Sequence, residues 1–182
     1  MKAAKLYRMS SNFCFSSLKG IFENKCRIID MNEEIRALEP KILWNKFADL
    51  NAVPRPSKKE ERVIEFIKKF GNDLDLKTEV DSVGNVVIYK PNTTGLENRK
   101  KIVLQAHLDM VHQKNNDTDF DFDTQGIEMY VDGDWVRAKG TTLGADNGLG
   151  VATMMAILES DSIEHPAIEA LFTIDEETGM TG

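Results

Sequence analysis

Apolar positions recur along this chain in two rhythms. The stretch "NEEIRALEPKILWNKFADLN" (32–51) places Ile35, Leu38, Ile42, Leu43, Phe47 and Leu50 at helical spacing, with Pro40 breaking or restarting the pattern. In "VPRPSKKEERVIEFIKKFG" (53–71), two prolines precede Ser57, and Glu60 follows three residues later at the spacing of a capping box. Val63, Ile64, Phe66, Ile67 and Phe70 then predict a second helix, closed by Gly71. The rhythm changes to alternation in "LKTEVDSVGNVVIYK" (76–90), which predicts a hairpin around Gly84 and Asn85. A second hairpin is predicted in "IEMYVDGDWVRAKG" (127–140), turning at Asp132 and Gly133. "KIVLQAHLDM" (101–110) is almost continuously apolar at its start and predicts a buried central strand. A Gly-rich turn opens "ADNGLGVATMMAILES" (145–160), whose Val151, Met154, Met155 and Leu158 form a helical face. "IEALFTI" (168–174) predicts the next core strand, and "PNTTGLENRK" (91–100) a loop. Helices alternating with strands in this way define an α/β layered domain around a central sheet.

A chain of 182 residues with 41% hydrophobic and 29% charged residues can bury the core of one domain. No apolar run reaches the roughly 20 residues of a membrane helix, which predicts a soluble chain without a membrane partner. The net charge of −7 is uneven: residues 1–30 hold six basic residues against Glu23 and Asp30, so the remainder is strongly acidic. An acidic body argues against nucleic-acid binding, whose phosphate contacts require clustered Lys and Arg. The basic segment 1–31 has no continuous apolar core and no small-residue cleavage site of a secretory signal. It is expected to be a leader or extension outside the fold, with 32–182 as the domain and organelle targeting left open. The only two cysteines, Cys14 and Cys26, lie in that segment, so neither a disulfide framework nor a Cys-type zinc site is expected.

Chemistry in α/β sheets gathers where strands end and loops begin, and three such places hold candidates. In "QAHLDM", His107 and Asp109 are two apart and point to one side of a strand exit. One can ligate a metal while the other fixes the ring tautomer, although a lone HxD equally suits a satisfied histidine at a core edge. In "GTTLGADNGLG" (140–150), Asp146 sits in a glycine-rich turn before a helix. A phosphate cradle would need Gly-Lys-Ser/Thr or GxGxxG after a strand, neither of which is present, and the acid would repel phosphate. In "DEETG", Asp175, Glu176 and Glu177 follow a core strand directly. Crowded carboxylates ask for compensation, whether from a lysine, a metal ion or only solvating water. Together, one histidine and dispersed carboxylates form an N/O donor set suited to zinc or manganese. The acidic run "DFDTQGIEMYVD" (121–132) imitates a calcium loop at Asp121, Asp123 and Gly126. It departs at Gln125 and Asp132 and lacks helical flanks, so it reads as an exposed loop.

The segments "PRPSKKEE", "QAHLDMV", "DGDWVRAKGTTLGADNGLGVA" and "EALFTIDEETGMTG" closely resemble the aminoacyl-histidine dipeptidases, a family within the dizinc metallopeptidases, over about Asn32 to Gly182. The resemblance implies a three-layer αβα zinc-peptidase-like domain with a mixed sheet. It also implies cytoplasmic hydrolysis of short peptides of the Xaa-His type by a water activated between two divalent ions, most often zinc, with manganese or cobalt as substitutes. By the resemblance, His107 ligates one zinc, Asp109 orients it, Asp146 bridges both ions and Glu177 ligates the second, while Glu176 is the general base. The Asp146–Asn147 peptide is often cis in such proteins. Family members carry a further metal-binding acid and histidine after the DEETG segment, and an inserted domain for substrate closure and homodimer contacts. The expectation for this chain is therefore a domain truncated before completion, with an exposed sheet edge and negligible activity alone. Its alternative is a catalytically silent chain serving as a metal-binding or interaction module. His112 and His165 are expected in loops and not as substitute ligands.

Overall fold

The computed structural model describes residues 32–182, so the basic segment and both cysteines lie outside the described residues. Two helices meet around Pro40: α1 (Glu33–Arg36) and α2 (Lys41–Asn51), with a cis Glu39–Pro40 peptide between them. Then follow α3 (Glu61–Asp73), β1 (Lys77–Val80), β2 (Val86–Lys90), β3 (Ile102–His107), β4 (Met129–Asp132), β5 (Trp135–Ala138), α4 (Ala145–Glu159) and β6 (Ile168–Thr173). Both predicted hairpins form. The first turns where the Asp81 carboxylate accepts the backbone N–H groups of Val83, Gly84 and Asn85. The second turns at Gly133 and Asp134, with Gly133 in the left-handed region that a tight turn requires (φ 60°).

The main sheet runs β1-β2-β6-β3. β2 is antiparallel to β1 and β6, whereas β3 is parallel to β6, giving the mixed sheet of the expected α/β architecture. Register puts Val86 opposite Phe172 and Ile88 opposite Ala170. These four side chains pack with Val63 and Ile67 of α3 and with Val151, Met155 and Leu158 of α4 in one buried cluster. A second cluster joins Phe47 and Ala48 of α2 to Met110, Phe120, Ile127, Met129 and Ala152, so α4 contributes to both.

Two expectations change. Segment 101–110 does not form a central strand: β3 is the sheet's edge, paired only with β6 among the described residues. Val103 is 58% exposed there, while only Ala106 and His107 of the strand are buried. An apolar run reports an affinity for burial and not which neighbour supplies it. Gly71 does not end α3, which continues to Asp73. A Cβ at Gly71 would overlap Thr78 Oγ1 and crowd Ile88, so the missing side chain lets α3 lie close to the β1–β2 hairpin.

Candidate metal centre

β3 and β6 run parallel and end side by side, with His107 opposite Thr173. Their exits carry the HLD and DEE segments to the same end of the sheet, and the turn that opens α4 arrives there too. Asp146 and Asn147 have non-helical backbone angles inside the first turn of α4, and the Asp146–Asn147 peptide is cis. The Asp146 side chain is 86% exposed. The Asp146 Oδ1 atom lies 3.1 Å from His107 Nε2. Ligand-type atoms of His107, Asp146 and Glu177 all lie within 4.8 Å of one another. Glu176 stays nearby, with Oε2 at 3.9 Å from His107 Nε2 and a side chain 45% exposed.

Asp109 is fully buried and acts as the hub of the cluster. Its Oδ1 lies 3.2 Å from His107 Nδ1 and accepts the Glu176 N–H at 3.0 Å. Its Oδ2 accepts the Glu177 N–H at 3.2 Å and the Ser57 hydroxyl at 2.7 Å. One carboxylate thus orients the imidazole and the turn that bears both glutamates. The His107 ring lies between two carboxylates, Nδ1 facing Asp109 and Nε2 facing Asp146 Oδ1; with a proton on Nδ1, the Nε2 lone pair can join Asp146 in ligating a metal ion. The electrostatics agree: burial raises the Glu177 carboxyl above its ordinary value, His107 opposes the shift, and the charges of Asp146, Glu176 and Asp109 add to it. Among the described residues no lysine or arginine pairs with Asp146, Glu176 or Glu177. An N/O donor set of this kind, short of positive charge, fits a divalent metal ion.

The three neighbouring acids part company in the structure. β6 has ended before Asp175, and Glu176 and Glu177 lie in the turn that follows it. Asp175 itself has a left-handed backbone (φ 53°). It does not join the His107 cluster: its oxygens accept the hydroxyls of Thr178 and Thr181, which hold its carboxyl below the ordinary aspartate value. Asp175 instead lies near Asp109 and Glu60, with carboxylate oxygens within 4.8 Å of one another.

The predicted capping box does not form. α3 has no side-chain cap: Ser57 is drawn to Asp109, and Glu60 Oε1 accepts the N–H groups of Lys58 and Asp175. Serine and glutamate at that spacing carried no other sequence signal. Arg55 and Asn51, both buried beneath the site, were equally silent. His112 and His165 lie in loops. The His112 ring packs edge-on against Phe122, and His165 Nδ1 lies 2.8 Å from the Pro166 carbonyl. In the calcium-like stretch, Asp121 accepts the Asp123 N–H and the Thr124 hydroxyl, while Asp123 pairs with Lys59 at 2.6 Å.

This arrangement of sheet and helices is shared with solved peptidases. A tripeptidase from Staphylococcus aureus matches it with a TM-score of 0.62 over 76% of this chain and 37% of that one; at 24% identity the likeness is one of fold. Nearer in sequence, the aminoacylhistidine dipeptidase of Vibrio alginolyticus is 52% identical with a TM-score of 0.80, covering 81% of this chain and 30% of its own. The chain is also 50% identical over 149 residues to the cytosol non-specific dipeptidase of Escherichia coli, matching 82% of this chain and the amino-terminal 31% of that protein. It therefore resembles these dipeptidases while spanning about a third of their length. No family model matches the chain.

Proposed function

We propose that residues 32–182 form the metal-binding part of a metallopeptidase that hydrolyses the peptide bond of dipeptides, Xaa-His dipeptides among them. The observation that carries this reading is the convergence of His107, Asp146 and Glu177 within 4.8 Å, with no lysine or arginine paired to the two acids among the described residues. The names of the similar dipeptidases support the substrate class, and the cytosolic one supports a cytoplasmic setting. His107 with Asp146 would hold one ion and Asp146 with Glu177 a second, zinc suiting the donors best and manganese or cobalt serving as well. When bound, such a pair lowers the pKa of a water and polarises the scissile carbonyl. Glu176 faces the cluster from its open side, where it would take the water's proton and deliver it to the leaving amine. Asp109 keeps the imidazole and the Glu176–Glu177 turn in register. Each ion would have two protein ligands among the described residues, whereas catalytic zinc sites have three, so turnover by these residues alone is expected to be weak.

Metal content and turnover of an Xaa-His dipeptide, measured on the same zinc-loaded samples, test the roles separately. Asp146→Ala is expected to lose both ions. Glu176→Gln should retain both and lower any turnover at least about 100-fold, the smaller end of a general base's contribution. Equal metal content in the wild type and Asp146→Ala contradicts the bridge; metal loss in Glu176→Gln contradicts the base.

A further inference from the structure

Beneath the metal centre lies a side chain that the reaction does not use. Arg55 is 2% exposed, and its guanidinium binds four acceptors in three parts of the chain. Nη1 donates to the carbonyls of Leu108 at 2.9 Å and Asp109 at 3.3 Å, at the exit of β3. Nη2 donates to the Gly144 carbonyl at 2.6 Å, two residues before Asp146, and to Asn51 Oδ1 at 3.0 Å. Asn51 in turn donates from Nδ2 to the neighbouring Leu143 carbonyl at 3.1 Å.

The glycines of the GADNGLG segment also serve this group. A Cβ at Gly144 or at Gly148 would overlap Arg55 Nη2, so both are small where the guanidinium is seated. Gly144 has in addition the left-handed backbone that a side chain resists (φ 68°).

Stability is a poor account of such a residue. Burial pushes the guanidinium down to about 10, with the Asp109 charge opposing, and Nε has no partner among the described residues. A desolvated cation held mainly by carbonyls is expensive compared with an apolar side chain of like size. What it uniquely supplies is a rigid planar fork that spans two loops at once.

We propose that Arg55 is a positioning residue of the metal centre: its guanidinium locks the β3 exit bearing His107 and Asp109 to the Gly144 turn bearing Asp146. This inference rests on the metal-centre reading above. It makes the His107–Asp146 spacing a property of the metal-free chain, set before any ion arrives.

Co²⁺ titration of the full chain, followed by calorimetry and by visible absorption, tests it on the wild type, Arg55→Met, Arg55→Lys and Ile67→Ala. Ile67 is buried in the other core cluster and serves as a variant that weakens the fold without touching the site. Arg55→Met is expected to bind Co²⁺ about 10- to 100-fold more weakly, the range for groups that hold metal ligands in place, with an altered absorption band. Arg55→Lys should fall in between, and Ile67→Ala should bind as the wild type does. Wild-type affinity and spectrum in Arg55→Met overturn the positioning role, as does an equal loss in Ile67→Ala. Should Arg55→Met fail to fold, Arg55→Lys decides: one ammonium cannot span both loops, so undiminished affinity there overturns the role. A wild type that binds no Co²⁺ overturns the metal centre itself, and the positioning role with it.

Discussion

Four polar groups converge on the Asp109 carboxylate: an imidazole, a serine hydroxyl and two backbone amides. Of this neighbourhood, the candidates His107, Asp146, Glu176 and Glu177 were legible in the sequence, because their residue types sit at the ends of predicted strands and beside a glycine-rich turn, and the structure brings His107, Asp146 and Glu177 together with Glu176 nearby. Ser57 and Glu60 were misread, since the spacing of a capping box is also the spacing that lets a short turn reach two buried aspartates. Glu60 carries a test of its own. Burial chiefly, with the Asp109 charge, raises its carboxyl above the ordinary value, against the N–H groups of Lys58 and Asp175. The folded chain therefore keeps this proton to higher pH than the unfolded chain. Its contribution to stability is present below the ordinary glutamate pKa and is lost as pH rises through the folded-state value. Glu60→Gln retains an oxygen for both N–H groups and removes the charge. Thermal melts of the metal-free chain should show a higher melting temperature for Glu60→Gln at pH 7 and no difference near pH 3; an unchanged or lower value at pH 7 contradicts the assignment.

Among the elements, apolar spacing and turn residues predicted every long helix and both hairpins, although α4 buries more than one face and contributes to both core clusters. The strand 102–107 escaped that logic. Its exposure depends on having a single neighbour, β6, and no local pattern encodes the number of neighbours. Gly71 escaped it as well: glycine near the end of a helical pattern has the signature of a stop signal, yet here it sits within α3 against Thr78 and Ile88. Alanine at an exposed helix position should gain up to about 1 kcal/mol over glycine. Overpacking at this contact costs about 1–3 kcal/mol instead. Urea denaturation of Gly71→Ala should accordingly give a net loss of stability with an unchanged slope; a gain contradicts the close approach of α3 to the hairpin.

Across the whole molecule, parallel pairing of β3 with β6 is the feature that makes a site. It brings strand ends separated by more than 60 residues to one rim and leaves the α4 turn to close the gap. The carboxylates of Asp146, Glu176 and Glu177 gather there, and among the described residues no lysine or arginine pairs with them. Among the described residues no helix is long and apolar enough to cross a membrane. The most direct test is an anomalous difference map, collected at the zinc edge from crystals of the chain grown with Zn²⁺. Two peaks about 3.5–4 Å apart are predicted, both beside the Asp146 carboxylate, one also beside His107 Nε2 and the other beside Glu177. Zinc bound elsewhere, with no peak between His107 and Asp146, would contradict the account.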